Sequence, residues 1–390
     1  MTEFRYTGLA QEVIFGPGAV ARLGEAVGRF GWQRLMLCTT RSQQANGHVA
    51  AVQSALGPRL VAIYDSVQPH VQDFQLAEAL ALVDEQEVEA VIGLGGGSPI
   101  GMAKALSAAL AEQRAAHADP LSPPLIEPGA PVVAIPTTYA GSEMTPLYGV
   151  THHEQGAARK VTVNDPQVAP RLVIYDPQLT LNLPPAMTAS TGVNALAHCV
   201  EALYSITRHP LSTAAALGGL RHIARALPRC YVHGADLEAR TDMLMGAHLA
   251  GAALSGVALG LHHGLCHVLG GTAGVPHGVA NSIVLPHAMR FNRAAAALGP
   301  PIQGWGLAGA EALGIATQDL PAEAAAEAAA QKVYDLVGDM DLPQRLRDAG
   351  VKEADLPRLA QLAFTSRTVQ NNPIPIDDPA QIERLLRAMW

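Results

Sequence analysis

Cysteine is scarce in this sequence. The 390 residues hold four, Cys38, Cys199, Cys230 and Cys266, too few and too scattered for a disulfide framework. A reducing compartment, the cytoplasm, is the expectation. Charge is sparse as well, at 15% of residues, and the formal net charge of -8 is spread without long acidic or basic runs. Nucleic acid and anionic membrane surfaces are therefore not expected partners. The N-terminus, MTEFRYTGLAQEVIFG, lacks a basic start followed by an apolar stretch, so no secretion signal is read there. One long uncharged run, MLMGAHLAGAALSGVALGL (243–261), raises the question of a membrane span. Its Gly, Ala and Ser content and its His248 favour a buried core helix with close helix neighbours.

What is present is organised in two parts. At 49% hydrophobic and 390 residues, the chain exceeds the roughly 250–300 residues of a single core. In the first half, RLMLCTT (34–40), RLVAIYD (59–65), AVIGLGGGS (90–98) and PVVAIPTT (131–138) are short apolar runs ending in turn residues. Helical stretches such as DFQLAEALALVDEQEV (73–88) lie between them. Alternation of this kind predicts a parallel sheet with helices on both faces. After LVIYDPQLTLNLPP (172–185) strand signals nearly vanish, and helical patterns run to the C-terminus. The expected domains are an α/β dinucleotide-binding domain over 1–183 and an all-helical catalytic domain over 184–390. A loop between helices is expected near residue 300.

Two loops in the first half carry nucleotide chemistry. In VIGLGGGSPIGMAKAL an apolar strand runs through Gly95, Gly96 and Gly97 into a helix that Ser98 can cap. Glycines let the backbone approach a bound group, and the helix N-terminus favours phosphate. An ordinary strand-to-helix turn is the plainer alternative, and the loop is not the usual dinucleotide fingerprint. A second strand ends in IPTTYAGSEMT, where Thr137, Thr138, Ser142 and Thr145 supply hydroxyls.

In the second half, HHGLCHVLGGTAGVPH (262–277) sets His263 and His267 four apart, on one helix face, with His277 ten further on. Asn194 and His198 repeat the four-residue spacing. The cluster could hold a metal, act on a substrate by acid/base chemistry, or fill a polar core. His152, His153, His209 and His233 read as surface residues in loops.

GGGSPIGMAKA, PTTYAGSEMT, NALAHCVEALYS, HHGLCHVLGG and PHGVANSIVLPHAMRFN occur in this order and together resemble the iron-containing (group III) alcohol dehydrogenases along essentially the whole chain. The resemblance implies a dehydroquinate synthase-like fold, an α/β dinucleotide-binding domain followed by an all-α domain, with the active site in the cleft between them. It is closest to the maleylacetate reductase branch. The metal-dependent members have an Asp where this chain has Gly101, a longer PTTAGTGSE loop, and an Asp where it has Asn194. Coenzyme contacts are implied at Gly95, Gly96, Gly97, Ser98, Thr137, Thr138, Ser142, Thr145 and Lys160. Thr40 and Arg41 stand where such relatives place a ribose-binding Asp, so NADPH is expected to be accepted beside NADH.

In the metal-dependent relatives the positions of Asn194, His198, His263 and His277 hold a divalent ion as one Asp and three His. Here the carboxylate is missing, and polarisation of substrate by histidines without a metal is favoured; if an ion is present, iron or zinc at those four positions is implied. His267 is expected to act as acid/base group or hydrogen-bond donor. The implied reaction is reduction of maleylacetate to 3-oxoadipate in aromatic degradation, by a homodimer. The alternatives are a metal-dependent alcohol dehydrogenase or aldehyde reductase, and an idle nucleotide-binding subunit. Gly264 replaces a Lys of many maleylacetate reductases, so Arg171, Arg208 or Arg290 would have to supply cations to a dicarboxylate.

Overall fold

The computed structural model describes residues 3–4, 6–117, 129–154, 157–298 and 304–390, without the side chains of 116, 117, 154 and 157–160. The chain divides into two compact units, Gly8–Asn182 and Leu183–Trp390, the latter joined by the segment Met1–Thr7.

The first unit is built on a six-stranded sheet of β1 (Glu12–Phe15), β2 (Leu35–Cys38), β3 (Leu60–Tyr64), β5 (Ala90–Gly95), β6 (Val132–Pro136) and β9 (Leu172–Tyr175). All its pairs are parallel, in the order β1-β9-β6-β5-β2-β3. The residues of β2, β5, β6 and β9 are buried throughout, as the continuous apolar runs require when helices cover both faces. Leu35 and Leu37 face one core, while Met36 and Cys38 face the other, following the two-residue period of a strand. Helices α1 (Leu23–Arg29), α2 (Arg41–Ala45), α3 (His48–Leu56), α4 (Asp73–Glu85) and α5 (Gly97–His117) connect the strands. Gly93 lets α5 lie directly on β5, because a Cβ there would stand 2.7 Å from Ile100 Cα.

A second sheet, in the order β4-β7-β8, was not expected: β4 (Val71–Gln72) pairs parallel to β7 (Leu147–Glu154), and β7 forms a hairpin with β8 (Ala157–Asn164). The stretch ARKVTVNDP supplies most of β8, and Lys160 pairs with Thr151 along it. The alternation of apolar and polar residues in RKVTVN is a strand pattern that the charges at its start obscured.

From Pro185 onward every regular element among the described residues is helical. These are α6 (Pro185–Tyr204), α7 (Pro210–Val232), α8 (Leu237–Ser255), α9 (Leu261–Ala273), α10 (His277–Phe291), α11 (Trp305–Ala312), α12 (Ala322–Asp339), α13 (Leu356–Phe364), α14 (Arg367–Gln370) and α15 (Pro379–Met389), with short 3-10 turns. The mixed α/β part followed by an all-α part is the fold class expected. Small residues bring α6, α7 and α8 close: a Cβ at Gly219 would meet Cys199 Sγ at 2.6 Å, and one at Gly246 would meet Ile223 Cγ1 at 2.7 Å. The 243–261 run is not one helix. α8 ends at Ser255 and α9 starts at Leu261, and no helix of the described residues is long and apolar enough to cross a membrane. Near residue 300, Arg293–Ala297 is a 3-10 turn and 299–303 lie outside the described residues.

Candidate functional site

The parallel order sets the carboxyl ends of β2, β5 and β6 side by side, the edge of an open α/β sheet where ligands sit. Thr40 follows β2, Gly95 ends β5 and Gly96 to Ser98 follow it, and Thr137 and Thr138 follow β6. Gly95 takes a φ of 139°, which an L side chain rarely adopts, and the chain turns there into α5. The backbone at Gly97 is open: a Cβ there would meet nothing within 4 Å. At Gly96 a Cβ would stand 3.3 Å from Thr138 Cγ2 and Oγ1, so the glycine keeps the two loops close. Thr137 N donates to Gly95 O at 3.0 Å, while Thr137 Oγ1 is buried without a hydrogen-bond partner. An orphaned hydroxyl beside a glycine loop is what a bound polar ligand would satisfy.

Ser98 does not cap the helix. α5 already begins at Gly97, and Ser98 Oγ accepts from His70 N at 3.2 Å. Thr40 Oγ1 pairs with Ser42 Oγ at 2.8 Å, and Thr40 forms a bridge to Ser66, which places Asp65 one residue from it. Ser142 and Thr145 lie on a turn held by Lys104 from α5, a residue that sequence reasoning did not single out. The Lys160 side chain lies outside the described residues.

The helical unit gathers the histidines. On α6, Asn194, His198 and Glu201 stand at positions i, i+4 and i+7, one face of the helix. Opposite, α9 presents His262, His263, Cys266 and His267, and His277 opens α10. The His263 ring lies 5.0 Å from that of His198, 6.3 Å from that of His267 and 6.2 Å from that of His277, centroid to centroid. His267 and His277 stack at 6.1 Å. His198 and His263 are buried, whereas His267 and His277 are exposed, so the cluster runs from the interior to the surface.

Glu201, fully buried, organises the inner end. Its Oε1 accepts from Gly260 N at 2.9 Å, and its Oε2 bonds His263 Nδ1. His262 Nδ1 is 3.1 Å from His263 Nδ1. A carboxyl on one ring nitrogen fixes the tautomer and aim of the other. That other atom, His263 Nε2, is buried without a partner, as is His198 Nδ1. Burial pushes His198, His262 and His263 well below the ordinary imidazole range, and the neighbouring histidines push the same way. Burial raises the Glu201 carboxyl. A protonated Glu201 donates to Nδ1 and leaves the proton of His263 on Nε2, a donor; an ionised Glu201 would leave Nε2 a lone pair, the metal-ligating form. Glu201 was missed although its spacing from Asn194 and His198 was there to be read.

Two donor sets bear on a metal. Glu201, His262 and His263 bring ligand atoms within 4.8 Å of one another, but they are wholly buried and already bonded to each other and to Gly260. In the second set, Asn194 Oδ1 accepts from Asn281 Nδ2 at 2.9 Å, and Asn281 also holds the His277 carbonyl at 2.9 Å. Three imidazoles, His198, His263 and His277, then remain beside Asn194, with no carboxylate among them. Glu201, His262 and His263 thus form a candidate metal-binding cluster, while the set around Asn194 brings no carboxylate.

Several other expectations change. His209 is buried rather than on the surface: it caps α7, with Nδ1 accepting from Ser212 N at 3.3 Å, and stacks on Phe4 at 5.5 Å. His152 and His153 lie on β7 rather than in a loop. Of the cations considered for a dicarboxylate, Arg290 is paired with Glu327 at 2.8 Å, and Arg208 donates to Leu203 O at 2.5 Å. Arg171 lines a cavity of about 300 Å³ in the first unit with Asp165 and Ser107. A Cβ at Gly264 would stand 2.4 Å from Val369 Cγ2, so the missing lysine has no room there.

Family models agree with these motifs over both units: "iron-containing alcohol dehydrogenase" matches residues 10–177, and "Fe-containing alcohol dehydrogenase family, C-terminal" matches 188–390. The chain belongs to the iron-containing alcohol dehydrogenase family. Within this oxidoreductase family it is closely related to maleylacetate reductases. It is 36% identical over 373 residues to one from Pseudomonas knackmussii, covering 96% of this chain and 94% of that protein. It is 37% identical over 387 residues to one from Sphingobium indicum, covering 99% and 97%. The crystal structure of the maleylacetate reductase from Agrobacterium tumefaciens superposes with a TM-score of 0.84 at 31% identity, covering 100% of this chain and 99% of that one. A 1,3-propanediol oxidoreductase structure gives 0.89 at 32% identity over all of both chains. The protein thus has the NAD(P)H-binding fold of the iron-containing alcohol dehydrogenases.

Proposed function

We propose that this protein is an NAD(P)H-dependent maleylacetate reductase, adding hydride to the carbon–carbon double bond of a 4-oxo-alkenoate dianion. The observation that supports it most is Asn194, bound to Asn281, standing where a charged ligand would be needed in a cluster whose inner histidines are neutral. Hydride arriving at the carbon distal to the ketone pushes charge onto the ketone oxygen as an enolate. N–H groups aimed at that oxygen stabilise it. His263 supplies one when Glu201 carries the proton, and His198 and His277 stand beside it. His267, exposed at the mouth of the cluster, delivers the proton to carbon. A conjugated acceptor needs less polarisation than a simple carbonyl, and this chemistry runs on imidazoles alone.

Thr40 and Arg41 support acceptance of both coenzymes, since no carboxylate follows β2 directly. Four free, buried cysteines support a reducing cytoplasm, and the family resemblance supports a homodimer. The test is steady-state oxidation of NADH and NADPH with maleylacetate, set against a panel of aldehydes and ketones. Maleylacetate is expected to give the highest kcat/KM, with the two coenzymes within about two orders of magnitude, roughly 3 kcal/mol. A preference for simple aldehydes would replace this reading by an aldehyde reductase. Strict rejection of NADPH would point to Asp65, beside Thr40, as reader of the ribose.

A further inference from the structure

A lysine is wholly buried on the helix that opens at the glycine loop: Lys104, seven residues after Gly97 and so nearly on the same face of α5. Its Nζ donates to Ser142 O at 2.6 Å, Thr145 O at 2.7 Å and Leu147 O at 2.9 Å, and lies 3.4 Å from Ser142 Oγ. An ammonium has three donors, and three carbonyls take them. All three belong to one turn, which starts at Gly141 with φ 75° and passes through a 3-10 turn, Ser142–Met144, into β7. That turn carries the hydroxyls of Ser142 and Thr145.

Burying a cation is costly unless it is paired and hydrogen-bonded. Burial draws the Lys104 ammonium down to about 7, and the charge of Glu143 works the other way. Glu143 sits on the same turn, buried, and accepts from Tyr175 OH at 2.9 Å. An apolar side chain of similar length would fill this space without that cost. The cation's distinct contribution is the fixed geometry of the three carbonyls it holds.

We propose that Lys104 is a positioning residue for the coenzyme: it locks the 142–147 turn onto the glycine-loop helix, so that both loops offer one preformed surface to NAD(P)H. The inference rests on the reading of these loops as the coenzyme site. Preforming a binding surface removes the ordering cost from the binding step, so its loss appears in affinity. The chemical step, carried by the histidine cluster, is untouched once coenzyme is saturating.

The test compares Lys104→Met, which keeps the length and apolar packing, with Lys104→Ala and with Gly96→Asp. NADH affinity is measured by fluorescence titration, kcat and KM by steady-state assay, and folding by circular dichroism and Tm. Lys104→Met is expected to raise the Kd and KM for NADH about tenfold or more, with kcat at saturating NADH within about threefold. If Lys104→Met does not fold, Lys104→Ala with added ethylammonium serves instead, and the added cation is expected to restore NADH affinity. A folded Lys104→Met with lowered Tm but unchanged Kd would overturn the proposal and leave Lys104 purely structural. Ethylammonium without effect on the affinity of Lys104→Ala would overturn it likewise. Gly96→Asp separates the underlying reading: a carboxylate meeting the pyrophosphate should abolish NADH binding in a folded protein. Unchanged binding there would remove the coenzyme site itself, whatever Lys104 does.

Discussion

Two histidines divide the work of the cluster by their depth. His263 is buried and bonded to Glu201, whereas His267 is exposed with its ring 6.3 Å away. Replacing either by Ala is expected to lower turnover by ~100-fold or more, the scale of a lost oxyanion donor or acid/base group. Only His263→Ala should also lose stability, by about 1–3 kcal/mol, because it strands a buried carboxyl. Parallel kinetics and urea unfolding check both, and near-normal turnover in either variant would return that histidine to a structural role. Asn194 makes the complementary case. Asn194→Asp recreates an Asp-His-His-His set with His198, His263 and His277, and a carboxylate adds a hard donor and a negative charge. Elemental analysis should find substoichiometric iron or zinc in the natural protein and more in the variant, and EDTA should leave the natural activity intact. At this scale the sequence was readable where spacing carried the signal, as for Asn194, His198, His263 and His267. Glu201, three residues past His198 and on the same helix face, went unnoticed, since a carboxyl wholly inside a helix bundle is not expected without its partner in view.

Among elements, β2, β5 and β6 announced themselves as apolar runs, because burial on both faces leaves no polar alternation to confuse the reading, and β3 was read with them, whereas the edge strand β1 was not. The β7–β8 hairpin was hidden for the opposite reason: those of its residues whose side chains are described are mostly half-buried or exposed, and LYGVTHHE mixes polar and apolar residues. The close packing of α9 on α14 was equally invisible, since it depends on Gly264 facing Val369 across more than a hundred residues. A lysine at this position carries a cation in many maleylacetate reductases, yet here its Cβ alone would stand 2.4 Å from Val369 Cγ2. Gly264→Lys is therefore expected to destabilise the helical unit by about 1–3 kcal/mol or more, without improving KM for a dicarboxylate. Thermal unfolding and maleylacetate kinetics of the variant check this. A stable variant with lowered KM would mean that α14 yields and the position still serves the substrate.

For the whole molecule, the buried histidines set the acid limit. His198, His262 and His263 are held well below the ordinary imidazole range, so the unfolded chain binds more protons than the folded one once pH falls below about 6.5. Stability present above that pH is lost as pH falls, by up to ~1.4 kcal/mol per unit for each histidine. Glu201, raised by burial, works in the opposite sense, but as one group against three. Urea midpoints should thus decline between pH 7 and pH 5, whereas a flat profile would mean that the three rings charge freely in the folded state. The central claim concerns where hydride goes. Coenzyme carrying deuterium at the transferable position of the reduced nicotinamide, turned over with maleylacetate by EDTA-treated enzyme, reads this directly by mass spectrometry and NMR of the product. The expected product is 3-oxoadipate with its ketone intact and the deuterium on a carbon of the former double bond, distal to the ketone. Deuterium on a carbinol carbon, or no transfer until iron or zinc is restored, would contradict the account.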